Sequence, residues 1–447
     1  MGGYLTGESL TALDWDGRST SGLASSQWSA DRLSLRLQLH PNIVFHDGTR
    51  LDAPLAKELL QRVMNPETPS GGSVSFESVT RIEVQDPNTL TLRLSQPEAF
   101  LREDLANATL PHPSDSSLGA GPFKLVAPAA GGNVTRLEAF ADYYRGRPEI
   151  DVIEVQSYNE QRSAWAALMR GDIDAVHEVS PNVIDLVESQ TTVQTFSSVR
   201  PYYIALWFNV RHPLMKDARV RQALSYGVDR QQLIDQGLNK RGEPAAGPVW
   251  PYHWAYTPAE RSYSLNREAA SIQLDAVGRF PRKSSGPGMQ GRFRFTCITL
   301  AGDRYEKLAL LLQKQLYAIG VDMQIEALPL RELFSRLQSR NFEAILLERA
   351  SGRSLGWTYL TFHSKSTPAG YKAADRVLDQ MRSAITDHAL RDALNRFHRV
   401  LYDDPPAIFL AWPTVARAVR STFVVPEEPG RDVLGSLRHW RAASLPQ

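Results

Sequence analysis

Between Phe293 and Leu347 the spacing of apolar residues switches repeatedly between a strand period and a helix period. Phe293–Leu300 reads as a strand, Tyr305–Ile319 as a helix and Val321–Ala327 as a second strand. Leu330–Leu337 follows as a helix and Ala344–Leu347 as a third strand. Strands that alternate with helices return parallel through crossovers, so this stretch predicts a βαβαβ layer and a mainly parallel sheet. At 447 residues the chain has length for two or three domains with large cores, and its 42% apolar content is that of an ordinary globular protein. A polar stretch, Arg282–Gly291, reads as a linker in front of the layer.

A second strong segment is Tyr202–Asp229. Tyr202–Phe208 is almost continuously apolar and fits a strand covered on both faces. Asn209 and a break at Pro213 follow. Asp217 then caps a helix whose Val220, Ala223, Leu224 and Val228 form one apolar stripe. Arg219, Arg221 and Arg230 fall off that stripe and read as solvated charges.

The remainder is an alternation of short elements. Leu33–Leu39 alternates as a half-buried strand, and Asp47-Gly48 marks a turn beside His46, itself a turn histidine. Leu55–Met64 reads as a helix, and Val79–Leu94 as a hairpin-like pair around Asp86-Pro87-Asn88. Pro66–Ser75 and Ser114–Gly121 read as loops. The Gly119-Ala120-Gly121 triplet opens no helix and is poor support for phosphate binding. Arg136–Ala141 and Val152–Tyr158 are strand candidates, and Glu160–Arg170 is a helix closed by Gly171.

With fifty basic against 49 acidic residues, nothing in the charge balance argues for nucleic acid or an acidic membrane surface, and no nucleic-acid partner is expected. No apolar run reaches the ~18 residues of a transmembrane helix. Cys297 is alone, which excludes an internal disulfide and a multi-cysteine metal site. There is no G-x-S-x-G elbow, no H-E-x-x-H, no Walker loop and no Rossmann fingerprint opening a helix. The ten histidines are scattered, so a metal would have to arrive inside a chelator, and no cofactor is expected. Hydrolysis is a remote second reading, with no acid–base pair to carry it.

The order of strand, Asn209, basic-Pro turn, Asp217 cap and helix closely resembles the extracytoplasmic solute-binding proteins of peptide-type ABC importers, family 5. The resemblance continues in order along nearly the whole chain. It includes Ser21–Ala24 with Trp28, Leu39–Gly48, Gly119–Phe123, Asp142–Pro148, Leu168–Asp174 and Gly242–Ala245 with Pro248. It implies an α/β, two-lobe periplasmic-binding-protein-like fold of class II type, with the second lobe inserted into the first and the N-terminus truncated. On that reading residues 1–20, 122–208 and 410–447 form the first lobe, 21–121 an extra subdomain of it, and 209–409 the second lobe. Crossings are expected near Leu206–Val210 and Phe409–Pro413, with Asn209 at the pivot. The resemblance further implies a monomeric, non-enzymatic binding component, periplasmic or a lipoprotein. It would capture an oligopeptide or peptide-like solute by hinged lobe closure and deliver it to permease subunits. A sensing role without transport stays open.

Peptide-binding relatives end a strand of the second lobe in "GWxADYxDP", whose Asp pairs with the peptide α-ammonium. In the register set by Phe342-Glu343, the family Trp falls at Arg349, the Asp at Gly352 and the Pro at Gly356. This wall is therefore expected to be cationic, through Arg349 and Arg353, and suited to an acid. The bland alternative is that both arginines are solvated or paired with Glu348. Ser351, Gly352, Trp357, Tyr203, Asn209 and Gly121 complete the candidate ligand-binding set. Trp357 and Tyr359 are expected on alternate positions of a strand, where a core role competes with stacking on ligand. Core packing competes likewise for Tyr203, and a backbone turn for Gly119 and Gly121.

Overall fold

The computed structural model describes residues 3–65, 76–115, 117–126, 134–180, 183–278, 292–366, 371–426 and 431–443. The expected loop at 66–75 and linker at 282–291 lie outside these residues. The chain forms two compact units, one of residues 1–198 with 415–447 and one of residues 199–414.

The first unit carries a four-stranded antiparallel sheet in the order Ala24–Trp28, Ser34–Leu39, Thr89–Leu94 and Val79–Asp86. Helix Ala53–Met64 starts where Asp52 accepts from Leu55 N–H at 2.9 Å, and it buries Ala56, Leu59, Leu60 and Val63. These meet Leu35, Leu37, Leu90 and Leu92 in one core. A three-stranded sheet of Phe123–Val126, Val134–Ala139 and Val152–Gln156 has a separate small core of Leu5, Phe123 and Leu137. Helix Gln161–Arg170 ends at Gly171 with φ 82°, the left-handed cap its position suggested.

The second unit contains the predicted layer. Its strands run in the order 407–414 (the part of strand Ala407–Arg420 in this unit), Tyr202–Phe208, Ala344–Ala350, Phe293–Leu300, Val321–Leu328. Phe293–Leu300 is parallel to both Val321–Leu328 and Ala344–Ala350, and Tyr202–Phe208 is antiparallel to Ala344–Ala350. Helix Asp303–Tyr317 covers one face, where Leu308, Ala309, Leu312 and Leu316 pack on Phe295, Cys297 and Leu346. Helix Leu330–Gln338 covers the other, where Leu333 and Leu337 meet Ile298, Ile345 and Trp207. Each large side chain fully buried here stabilises by about 1.5–3 kcal/mol. Cys297 is fully buried, and loss of hydration pushes its thiol up to about 12.

Three expectations change. The family resemblance placed Tyr202–Phe208 in the first lobe, whereas it belongs to the sheet of the second unit, and the chain passes between units at 198/199 and 414/415. Asn209 is therefore at the far end of that strand from the passage. Its amide donates to Phe342 O at 2.9 Å and Arg340 O at 3.2 Å, tying a turn within one unit. Of the three off-stripe arginines only Arg219 is a surface charge, paired with Asp217 at 2.9 Å. Arg221 is 2% exposed, pairs with Asp404 and donates to Met215 O and to Pro405 O. A helix stripe defined by apolar residues alone missed it because Arg221 packs against the chain at 404–405, which sequence spacing does not reveal.

Candidate functional site

In the second unit two neighbouring parallel strands send their continuing chains to opposite faces. Phe293–Leu300 leads to helix Asp303–Tyr317 on one face, and Ala344–Ala350 leads towards Trp357 and Phe362 on the face of Trp207. Such a divergence opens a crevice at the carboxyl ends of the strands. A pocket of about 340 Å³ occupies that place. Leu300, Leu330, Leu333, Phe334, Leu337 and Leu347 make its apolar wall, and Tyr305, Glu348, Arg349, Trp357 and Thr361 supply the polar and aromatic groups. Leu330 and Phe334 remain 55% and 52% exposed, so the helix offers apolar surface at the opening rather than burying it.

Arg349 stands directly across from Tyr203 in the strand register, on the side shared with Trp207. Its guanidinium carbon is 5.8 Å from the Trp207 ring centre, within cation–π range. Among the described residues Arg349 has no hydrogen bond and no acidic partner. Glu348, one residue earlier, projects to the other face. There it lies 3.6 Å from Arg200 and from Arg304 and accepts from Tyr305 Oη at 3.2 Å. Burial and the adjacent carboxylate push the Tyr305 phenol up to about 12. The alternative in which Arg349 pairs with Glu348 is thus excluded by the pleat.

The loop after the strand is built by backbone constraints. Ser351 N–H and Gly352 N–H both donate to Pro201 O, at 2.9 and 3.0 Å. Gly352 has φ 62°, and a Cβ there would come within 2.7 Å of Trp357 Cδ1. Ser354 Oγ then accepts from Gly356 N–H at 3.1 Å and starts helix Leu355–Phe362. This corrects the strand reading of Trp357 and Tyr359, which sit on that helix. Trp357 turns to the pocket, whereas Tyr359 is buried, stacks on His363 at 4.6 Å and donates to Asp379 at 3.1 Å. The Ser354 cap was the sequence signal for a helix, masked by aromatic residues two apart.

The structure brings Arg349, Trp357, Ser351 and Gly352 to one strand end. Arg353, in the same loop, is exposed. Tyr203 is buried in a ring cluster with Trp207, Phe409 and Trp412, at 5.4–6.1 Å, and burial pushes its phenol up. It supports the floor beneath Arg349. Asn209 is held at the opposite end of the strand. Gly121 belongs to the first unit, where its N–H donates to Thr6 O at 2.9 Å and a Cβ would meet Leu5 O at 2.6 Å. His46 bridges the same turn, with Nδ1 accepting from Gly119 N–H at 3.2 Å and Nε2 donating to Gly121 O at 3.0 Å. Sequence reasoning missed the apolar pocket wall of Leu330 and Phe334, because helix periodicity does not tell core from pocket lining. Among the described residues no group of three or more His, Cys, Asp or Glu is placed to hold a metal ion. No helix among them is long and apolar enough to cross a membrane.

Comparison with known proteins agrees with this architecture. The chain is 24% identical to the oligopeptide-binding protein AppA of Bacillus subtilis over 456 residues, spanning 92% of this chain and 81% of that protein. The solved structure of that AppA with a nonapeptide superposes with a TM-score of 0.81 at 21% identity, over 99% of this chain and 94% of that one. NikZ from Campylobacter jejuni, solved with Ni(L-His), gives 0.83 at 21% identity, over 98% and 94% of the two chains. AgaA from A. tumefaciens R10, solved with agropinic acid, gives 0.80 at 20% identity, over 99% and 94%. The fold is that of the periplasmic binding proteins. The model of the family described as "Bacterial extracellular solute-binding proteins, family 5 Middle" matches residues 19–371, and the chain belongs to this family of bacterial extracellular solute-binding proteins.

Proposed function

We propose that this protein is the substrate-binding component of an ABC importer, and that it takes an oligopeptide or peptide-like solute carrying an acid group, held at Arg349. The carrying observation is Arg349 itself, half-buried in a largely apolar pocket and with no acidic partner among the described residues, while Glu348 is engaged by Arg200, Arg304 and Tyr305. A half-buried guanidinium beside Trp207 gains most from a carboxylate, which it can meet with two parallel hydrogen bonds. The residue aligned with the ammonium-binding Asp is Gly352, so a free N-terminal amine has no carboxylate to meet there. Delivery to permease subunits, and a periplasmic or lipid-anchored location, go with this reading.

Isothermal calorimetry with matched short peptides tests it. Peptides with a free carboxylate should bind whether or not the N-terminus is acetylated, and C-terminal amides lacking acidic side chains should bind far more weakly. Tight binding of plain di- or tripeptides that disappears on N-acetylation would sink the proposal.

A further inference from the structure

A second cavity, of about 120 Å³, lies in the same unit and is lined by Arg230, Arg261, Tyr263, His398, Tyr402 and Phe409 among others. That volume holds several waters or one compact ion. Two of its groups are short of partners. Arg230 donates from Nε to Phe409 O at 2.6 Å and from Nη1 to Tyr263 O at 3.0 Å. Among the described residues its Nη2 has no partner, and no carboxylate pairs with the guanidinium. The acids next to lining residues in the sequence already have partners. Asp403 is 3.5 Å from Arg261, Glu260 is 3.0 Å from Arg399, and Asp404 pairs with Arg221.

His398, on helix Asp387–Asp403, is the other group. It is 7% exposed, and among the described residues neither ring nitrogen has a hydrogen-bond partner. It faces this cavity and a smaller adjoining one lined by Glu260, Arg261, Asn395 and Arg399. Tyr256 meets its ring edge-on at 5.7 Å. Among the described residues, a buried imidazole with both nitrogens unmet and a guanidinium with no carboxylate line the same cavity, which is costly unless something polar occupies the space, and an anion would also meet the charge of Arg230.

We infer that this cavity is a binding site for a compact oxyanion, of carboxylate or phosphate size, held between Arg230 Nη2 and His398. Arg230 supplies the charge and His398 the second donor, while Tyr402 and Tyr263 wall the space. The site is separate from the pocket at Arg349 and does not depend on what that pocket takes.

Thermal unfolding of the full chain tests it, with sodium phosphate or sodium acetate titrated against sodium chloride at constant ionic strength. An anion bound only by the folded state raises the melting temperature steadily with the logarithm of its concentration. That rise is expected for phosphate or acetate, whichever fits, in the wild-type chain and in Arg349→Leu. In His398→Leu the half-effect concentration should be at least about tenfold higher, since a charge-assisted hydrogen bond is lost. His398→Gln keeps a donor, should fall between the two, and carries the test if the leucine variant does not fold. Absence of a rise with either anion in the wild type, an unchanged rise in both His398 variants, or its loss in Arg349→Leu would overturn the inference.

Discussion

Glu348 and Arg349 are consecutive and of opposite charge, yet they do not meet, because the strand pleat sends Glu348 to Tyr305 and Arg349 to Trp207. Glu348 is neutralised locally by two arginines, and Arg349 keeps its charge available to the pocket. A one-residue slip of the strand would exchange the two and reverse the sign presented there.

Replacing Arg349 by leucine should weaken an acidic ligand by about 1.5–3 kcal/mol, the range for a charged hydrogen bond. That is roughly ten- to a hundredfold in Kd. Folding should change little, since no hydrogen bond of Arg349 to the described residues is lost. Calorimetric affinity alongside the unfolding midpoint separates the two effects.

Gly352→Ala should disturb the site more than the fold. An alanine at φ 62° with its Cβ 2.7 Å from Trp357 Cδ1 displaces the indole, at a cost of about 1–2 kcal/mol for the backbone alone. Ligand affinity and the fluorescence of Trp357, compared with a Trp357→Phe control, should both shift. An unchanged affinity would mean that Trp357 does not border the ligand.

Arg221→Met leaves Asp404 and the carbonyls of Met215 and Pro405 without their donor. Breaking a buried pair costs about 3–5 kcal/mol, and with Asp404 36% exposed we expect the lower end of that range. Urea unfolding should show a reduced midpoint in the transition of the second unit.

Burial brings the His398 imidazole down to about 4, whereas an unfolded chain has it near ~6.5. Between those values the unfolded chain binds a proton that the folded one refuses. This contribution is complete above pH ~6.5 and is lost as the pH falls towards ~4, up to about 3 kcal/mol. Burial also lowers His40, His46, His177 and His439, which titrate in the same direction. The difference between wild type and His398→Leu, measured by unfolding across pH 4–7 without added oxyanion, isolates the one residue. Parallel curves would mean that His398 binds its proton equally in the folded and the unfolded chain.

Much of the second unit is legible in local sequence patterns. Phe293–Leu300, Val321–Leu328 and helix Leu330–Gln338 are found where periodicity places them, and Asp217 caps its helix through Arg219 N–H at 3.0 Å. What escaped depends on residues far apart in the chain. Arg221 is buried because residues 404–405 lie against it, and Asn209 binds carbonyls more than 130 positions away. Trp357 and Tyr359 misled because two aromatics two apart mimic a strand, although Ser354 and Gly352 already specified a turn and a cap. Arg349 was legible as a residue type at an aligned position. Its freedom from Glu348 follows from the pleat.

Cys297 is the chain's single cysteine, and it is sealed between the sheet and helix Asp303–Tyr317 with its thiol pushed up to about 12. A thiol so protected reacts with an alkylating reagent only when the packing of that helix on the sheet opens. The protein therefore carries its own stopwatch for the second unit. Labelling rates, with and without a candidate solute, would report ligand protection of that unit in unmodified protein and with no engineered probe.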